Sequence, residues 1–202
     1  MKIEDPDEYK NVILGGWLES FKTVIFPFVN YIDQFPDMGF HYGMDFGFTT
    51  DPCVMLKYAE NKTDIYIELL CYQPIETPEE INEYAKAIGM NKRLPTTADS
   101  ADKYASDKGV VEMVSSLRDT YFWNISKVSK TKTVMYWLGS MKKKRINIVN
   151  NHLVHHAKKE QQYYRMKTIN GIAINQPVDE FNHMWDAARY AHIAEHSEGL
   201  FW

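Results

Sequence analysis

Residues 43–48, Gly-Met-Asp-Phe-Gly-Phe, place a single carboxylate in an otherwise uncharged segment. Side chains alternate along an extended chain, so the methionine and the two phenylalanines share one face, which predicts a buried strand. The two glycines share the other face with Asp45. Glycines inside a strand often mark a close approach by another group, which suggests a metal ion or a phosphate backbone beside Asp45. The alternative is an aspartate that caps the turn beginning at Thr49-Thr50-Asp51-Pro52.

The composition is that of a folded domain. The 202 residues are 45% hydrophobic and 14% aromatic, which predicts one domain, or one domain with an appendage, around a real core. The net charge of -4 argues against a simple nucleic-acid binder, although Lys142–Arg145 is a basic run. No apolar stretch is long enough to cross a membrane, and the acidic N-terminus is not a signal peptide. Two cysteines, Cys53 and Cys71, form neither a disulfide framework nor a zinc motif, so a cytosolic location is expected.

The order of predicted elements indicates an α/β domain. Three strands joined by short links run from Phe40 to Cys71, and helices and strands alternate after them. This order predicts a mixed β-sheet flanked by helices. Among the predicted elements are a helix with a capping box at Thr77–Glu80, a helix over Lys108–Asp119, a hairpin turning at Asn170-Gly171 and a final helix over Asp179–Glu195.

Residues 1–38 differ from the rest of the chain. They begin with an acidic stretch, contain the glycine pair Gly15-Gly16, and carry prolines at 27 and 36 that stop regular structure. We therefore expect a connector with a possible strand near Thr23–Phe26, and a domain over residues 39–202.

Three aspartates stand at the ends of predicted elements. Asp45 lies in the first strand, Asp99 follows the fourth, and Asp186 lies near the start of the last helix, on the same face as His183. Each has a simpler explanation as a cap or as a favourable charge at a helix start. Together they supply the carboxylate oxygens that hard divalent cations bind. Two such ions about 4 Å apart can activate a water and stabilise the leaving oxygen in phosphodiester cleavage.

Other polar residues have less specific patterns. His183 could bind a metal, transfer a proton or serve the helix start. The basic run Lys142–Arg145 is typical of a solvated helix end but could contact phosphates. The remaining candidates are expected on solvated helix surfaces: His152, His155, His156, Glu112 and Glu160.

Three motifs resemble the acidic motifs of the large terminase subunit of tailed phages, and more narrowly those of its C-terminal nuclease domain. They are Gly43–Gly47 with Thr50–Pro52, Thr97–Ala101, and Asn182–Tyr190, whose sequence NHMWDAARY is the most specific. The resemblance covers about residues 40–194. Residues 5–17 resemble the end of the family's ATPase part and its linker. The chain thus resembles the nuclease fragment of a longer motor protein, with residues 1–38 as a remnant that follows an absent ATPase domain.

The resemblance implies an RNase H-like fold and an endonuclease that cuts concatemeric double-stranded viral DNA during genome packaging. It implies that Asp45, Asp99 and Asp186 bind Mg²⁺ or Mn²⁺, with two ions expected and Asp45 bridging them. His183 matches a position that lies beside the metals in some relatives.

A lysine between the second and third acids is also typical of the family. Lys130 fits best, and Lys127 and Lys132 are alternatives. The implied partners are double-stranded DNA, the small terminase subunit and the portal protein, with no membrane. We expect an isolated domain to be monomeric and to act in the cytoplasm of the bacterial host, on the procapsid motor. No GxxxxGK[ST] sequence occurs, so we expect no ATPase activity.

Two alternatives stay open at this stage. One is another RNase H-like nuclease, such as a resolvase or transposase core, which would not be expected to carry the ATPase-linker remnant. The other is a noncatalytic module that docks to DNA or to the portal, in which the acids only cap secondary-structure elements.

Overall fold

A seven-stranded mixed sheet forms the centre of the protein. The computed structural model describes residues 23–47, 51–99, 103–106, 109–129 and 131–197. In chain order the elements are β1 (Asn30–Ile32), β2 (His41–Asp45), β3 (Cys53–Glu60), β4 (Asp64–Gln73), α1 (Pro78–Ala87), β5 (Thr96–Ala98), β6 (Lys103–Ser106), β7 (Gly109–Glu112), α2 (Met113–Asp119), β8 (Ile125–Lys127), α3 (Val134–Met141), β9 (Arg145–Val149), α4 (Val154–Tyr163), β10 (Met166–Ile169), β11 (Ile172–Pro177) and α5 (His183–His196).

The strand order in the sheet is β1-β9-β4-β3-β2-β5-β8. The three strands β2, β3 and β4 form an antiparallel meander, as the short links between them predict. The outer strands join in parallel, β5 on β2 and β9 on β4. The predicted mixed sheet flanked by helices is therefore confirmed. Two hairpins, β6–β7 and β10–β11, lie outside this sheet.

Helices cover both faces of the sheet. One core contains apolar residues of α3, α4 and α5 against the even-numbered face of β3, for example Leu138, Ala157 and Ala187 against Leu56. The other core contains α1 and α2 against the opposite face, where Met44 and Met55 meet Ile81. Met44 and Phe46 are buried, so the predicted apolar face of the first strand is confirmed, whereas Phe48 lies outside the described residues.

Two local predictions are confirmed in detail. The Thr77 hydroxyl accepts a hydrogen bond from the Glu80 backbone N–H, and the Glu80 carboxylate accepts one from the Thr77 backbone N–H, which completes the predicted capping box. At the tip of β10–β11, Asn170 and Gly171 both have positive φ angles, 51° and 79°, as a tight two-residue hairpin requires.

The predicted helix over Lys108–Asp119 is wrong in its first turn. Residues 109–112 form the strand β7, and the helix begins only at Met113. The valines at 110 and 111 are β-branched, and a short apolar run of this kind suits either a strand or a helix. Pairing with β6 decides between them.

The connector predicted before residue 39 includes part of the folded unit. Ile25 and Phe26 are buried in the first core, and β1 pairs in parallel with β9. The possible strand near Thr23–Phe26 is only an isolated bridge between Val24 and Arg165. Within the described residues, no helix combines the length and apolarity needed to cross a bilayer.

Candidate metal centre

The register of two parallel strands brings Asp45 and Asp99 to the same edge of the sheet, the one formed by the carboxyl ends of β2 and β5. Met44 of β2 pairs with Ala98 of β5. The next residue of each strand is an aspartate, so both emerge at the carboxyl ends of neighbouring parallel strands. This arrangement matches the prediction from element ends.

Helix α5 brings Asp186 and His183 over that edge. It packs on β2 so closely that a Cβ atom at Gly43 would overlap the backbone carbonyl of Ala187. The first glycine of the opening stretch is therefore required for helix packing rather than for an open surface. Gly47 has a similar purpose, since a Cβ there would overlap the backbone of residues 51–53. The prediction that both glycines keep this face open for ions and phosphate is wrong.

The three aspartates lie near enough to influence one another's ionisation. Burial raises the pKa of Asp45 to about 7, and the charges of Asp186 and Asp99 add to this effect, whereas a hydrogen bond from His183 opposes it. Burial also raises the pKa of Asp186, with a further contribution from Asp99 and an opposing one from Arg189. Partly buried carboxylates that repel one another form a site that favours a cation.

His183 lies between two aspartates. Its Nδ1 is 3.3 Å from Oδ2 of Asp45, and its Nε2 is 4.0 Å from Oδ1 of Asp51. Burial lowers the pKa of His183, but the hydrogen bond to Asp45 and the charge of that carboxylate outweigh it, so the pKa is raised overall. The carboxylate of Asp45 therefore favours the protonated form of this imidazole.

Arg189 holds the third aspartate. Its guanidinium donates to Oδ1 of Asp186 through Nη2 at 2.8 Å and Nε at 3.2 Å, and it is only 5% exposed. The side chain of Asn182 lies 3.4 Å from the other oxygen of this carboxylate. A buried arginine that grips a carboxylate with two nitrogens fixes its orientation. Sequence reasoning had assigned Arg189 no separate role.

The prediction that Glu160 is a surface residue is wrong. It is fully buried, and its two oxygens accept the backbone N–H of Met184 at 2.9 and 3.1 Å, at the start of α5. The hydroxyl of Tyr72 donates to it at 2.8 Å. Burial raises its pKa to about 7. Its spacing from Ala157 and Tyr164, three and four residues away and both buried, places it on the buried face of α4.

The structure describes two of the three candidate lysines. Lys130 lies outside the described residues. Lys127 ends β8 and pairs with Ala98, so it lies one strand away from Asp99, with Nζ 3.8 Å from Glu112. Lys132 lies over the ring of Tyr136, 5.8 Å from its centroid. Lys130 therefore stays a prediction, and Lys127 is a described candidate that strand pairing places beside the residue before Asp99.

The basic run lies at the opposite edge of the sheet. Lys144 bonds to Glu60 and Arg145 to Asp64, both beside the turn between β3 and β4. A cavity of about 1020 Å³ opens there, remote from the three aspartates. A smaller groove of about 480 Å³ instead adjoins His183 and contains His156 and Lys159. Of the predicted solvated histidines, His152 and His155 are exposed, whereas His156 stacks on Tyr72.

A mixed sheet in this strand order with helices on both faces is an RNase H-like fold. The chain matches no protein-family model and no curated protein. Among solved structures it is similar to the large terminase nuclease domain of bacteriophage SPP1 with bound Mn, with a TM-score of 0.66 and 18% identity over 82% of this chain and 96% of that one.

Two further structures share the architecture. The large terminase nuclease of thermophilic phage G20c with bound magnesium has a TM-score of 0.55 at 14% identity, covering 84% of this chain and 96% of that chain. The large terminase of another thermophilic bacteriophage has a TM-score of 0.59 at 17% identity, with 83% of this chain and only 44% of that one covered. The fold predicted from the resemblance is thus confirmed: the chain has the fold of terminase nuclease domains.

Proposed function

We propose that this chain is a metal-dependent endonuclease that cleaves double-stranded viral DNA during genome packaging. The observation that carries the proposal is the meeting of Asp45, Asp99 and Asp186 at one sheet edge, where burial and mutual repulsion raise the pKa of Asp45 to about 7. Similar nuclease folds bind Mn in SPP1 and magnesium in G20c, which supports the same class of cofactor here.

The donor set suits Mg²⁺ or Mn²⁺. Asp45, Asp99 and Asp186 would hold the ions, and their carboxylate oxygens are the ligands that such hard cations prefer. The two thiols of the described core, Cys53 and Cys71, are buried in the opposite core with Met44 and supply no soft ligand at this edge. Such ions, when bound, activate a water and stabilise the leaving oxygen of a phosphodiester.

The protein's own groups position this carboxylate set. Arg189 fixes one oxygen of Asp186, and Glu160 caps the helix that carries it. His183 orients Asp45 and holds a proton at Nδ1, where it can balance the charge of the site before a cation arrives. These contacts keep the ligands in place without ions, which limits reorganisation on binding.

The groove beside His183 is the path we propose for a DNA backbone because it adjoins the candidate metal centre. Lys159 and His156 offer positive or hydrogen-bonding groups along a wall that also carries the acids Asp51, Asp179 and Glu180. The basic run at the far edge would then not guide the cleaved strand. Contacts of this kind release counterions, so we expect DNA binding to weaken as salt rises.

Plasmid nicking tests the proposal. The chain should convert supercoiled DNA to nicked and linear forms with Mn²⁺ or Mg²⁺ and not with EDTA. Asp45→Asn and Asp99→Asn should each lower the rate on the order of 1000-fold, since each removes a charged ligand of the cation that would stabilise the reacting phosphate. Asp119→Asn, an exposed aspartate on α2, is the matched control. Cleavage that survives both site substitutions contradicts the metal mechanism, and DNA binding without any cleavage would favour a docking module.

The wider role also belongs to this proposal. We propose that an ATPase domain precedes residues 1–38 in a longer motor protein, because the chain spans only 44% of the large terminase from a thermophilic bacteriophage that shares its fold. The small terminase subunit and the portal would be its partners on the procapsid, in the host cytoplasm. When the chain is joined to such an ATPase part, it should cut the viral DNA in the course of packaging. In a packaging reaction with the Asp45→Asn variant, the viral DNA should then stay uncut.

A further inference from the structure

A second cluster of metal-ligating groups lies at the other end of α5. Glu60, at the end of β3, meets His192 and His196, which are one helical turn apart. One ligand atom from each of the three lies within 4.8 Å of the others. This cluster belongs to the edge of the sheet opposite Asp45, because β3 runs antiparallel to β2.

The geometry of the cluster is that of converging donors. Oε2 of Glu60 is 2.9 Å from Nδ1 of His192, and Oε1 is 2.8 Å from Nε2 of His196. The other ring nitrogen of His192 lies 2.9 Å from the hydroxyl of Ser140. Metal-binding histidines usually donate their second N–H to such a partner, which fixes the ring and its tautomer.

We propose that Glu60, His192 and His196 form a binding site for a transition-metal ion of the zinc class, separate from the nuclease centre. Two imidazoles and one carboxylate are the donors that Zn²⁺ accepts in a tetrahedral site with one open position, whereas Mg²⁺ prefers oxygen ligands. The two histidines come from one helix and the glutamate from a strand of the central sheet. A bound ion therefore links α5 directly to β3.

Protonation and exposure both suit this assignment. His192 is fully buried and burial lowers its pKa, so the neutral imidazole that binds metals is favoured. Burial opposes the ionisation of Glu60, but hydrogen bonds from His192, Lys144 and Tyr58 outweigh it and lower the pKa to about 2, so this group is a carboxylate. His196 is 38% exposed and gives an ion a path from solvent.

Lys144 is a built-in competitor at this site. Its Nζ lies 2.7 Å from Oε1 of Glu60 and donates to the carbonyl of Asn61 as well. An ion must share this carboxylate with the ammonium group or displace it. Removal of the lysine charge should therefore strengthen metal binding, an effect that a structural ion pair alone would not produce.

Zinc titration of the chain with Asp45→Asn and Asp99→Asn, which disable the nuclease centre, tests the proposal. Calorimetry should show one equivalent of Zn²⁺ bound, and Co²⁺ in its place should give the visible absorption of a tetrahedral site. His196→Ala should weaken binding at least about 100-fold, because even loss of a group that orients a ligand costs roughly 10- to 100-fold. Lys144→Met should tighten binding several-fold.

The exposed His155 provides the matched control. His155→Ala should leave the zinc affinity unchanged, and Ser140→Ala should weaken it about 10-fold. His196 is partly exposed and lies near the end of the helix, so its replacement should leave the fold intact. Circular dichroism of the His196→Ala variant checks this. Zinc binding that survives His196→Ala, or that is lost with His155→Ala, overturns the proposal, as does the absence of any stoichiometric Zn²⁺ binding in the parent chain.

Discussion

The two ends of α5 handle charge in opposite ways. At its start, Asp45, Asp99 and Asp186 lie near enough to repel one another, and burial raises the pKa of Asp45 to about 7. At its far end, burial also disfavours the ionised form of Glu60, yet hydrogen-bonding partners lower its pKa to about 2. The protein thus disfavours the ionised form of Asp45 at the start of this helix and favours the ionised form of Glu60 at its far end.

The contrast suggests that the far end of α5 contributes to stability, whereas its start is arranged for function at a cost in stability. Buried like charges that lie close together weaken the folded state, and they are typical of sites that bind a cation or perform chemistry. The satisfied far end and the close contact at Gly43 hold the helix while its start carries the strain of repulsion. Neutralising Asp45 at the start and neutralising Glu60 at the far end should therefore change stability in opposite directions.

The close contact in the middle of the helix should show the largest effect. Gly43→Ala places a Cβ against the carbonyl of Ala187, a backbone atom that cannot rotate away. We expect a loss of about 3 kcal/mol or more in the free energy of unfolding, measured by urea denaturation. Nuclease activity should also fall at temperatures where the variant is folded, since α5 and Asp186 must shift.

Gly39→Ala is the matched control for this substitution. A Cβ at Gly39 meets no atom within 4 Å, so stability should change little. Equal losses for the two variants would show that backbone flexibility, and not the approach of α5, explains the glycine at position 43.

The far end should lose stability when its anion is removed. In the absence of added metal, Glu60→Gln leaves Lys144 without its counter-charge and weakens the hydrogen bond to His192, at an expected cost of about 2–3 kcal/mol. The ionised Glu60 stabilises the fold above its unfolded pKa of 4.5, and this contribution is lost as the pH falls towards 2. Denaturation curves at pH 7 and pH 3 should therefore differ more for the wild type than for Glu60→Gln.

An exposed ion pair provides the comparison. Glu83 bonds to Lys86 on the surface of α1, and Glu83→Gln should produce little measurable change at either pH. A similar loss in both variants would mean that the burial of Glu60 contributes nothing.

The position of the acidic edge could be predicted from the sequence because it follows from side-chain alternation in strands and from the direction of parallel strands. Strand alternation placed Met44 inward, and the carboxyl ends of parallel strands brought Asp45 and Asp99 together. The reason for Gly43 was missed because it depends on how closely a helix distant in sequence approaches. Such an approach is set by tertiary packing and leaves no local signal beyond the small residue Ala187.

Glu160 illustrates a signal that was present and overruled. Its spacing from Ala157 and Tyr164 indicated a buried face, but glutamate is rarely buried without partners. Those partners are the Met184 N–H and the Tyr72 hydroxyl, from elements far along the chain. The misjudged strand β7 has the same origin, because its pairing with β6 outweighs the local helical spacing.

Removal of this cap should weaken the start of α5. Glu160→Ala leaves the Met184 N–H without its acceptor and opens a cavity, at an expected cost of about 2 kcal/mol. Plasmid nicking should slow about 10- to 100-fold because His183 and Asp186 lose their support. Glu160→Gln keeps one acceptor oxygen and should retain more stability and activity than Glu160→Ala. A Glu160→Gln variant that is less stable and less active than Glu160→Ala would contradict the capping role.

The smallest expected effect is a gain in stability at the start of α5. Asp45 has a pKa of about 7 in the folded protein against 3.8 without burial, so the folded state retains its proton more strongly. Stability is therefore unaffected by this group below pH 3.8, declines as the pH rises towards 7, and stays lower above it. Asp45→Asn does not ionise and should exceed the wild type by about 1–2 kcal/mol at about pH 8 in EDTA, with no difference at about pH 3.5. Added Mn²⁺ should reverse the order, because it stabilises only the chain that binds it.

Urea denaturation at a series of pH values measures the difference in the free energy of unfolding, with Asp119→Asn as the control. Parallel pH curves for Asp45→Asn and the wild type would show that repulsion at the start of α5 does not lower the stability of the fold.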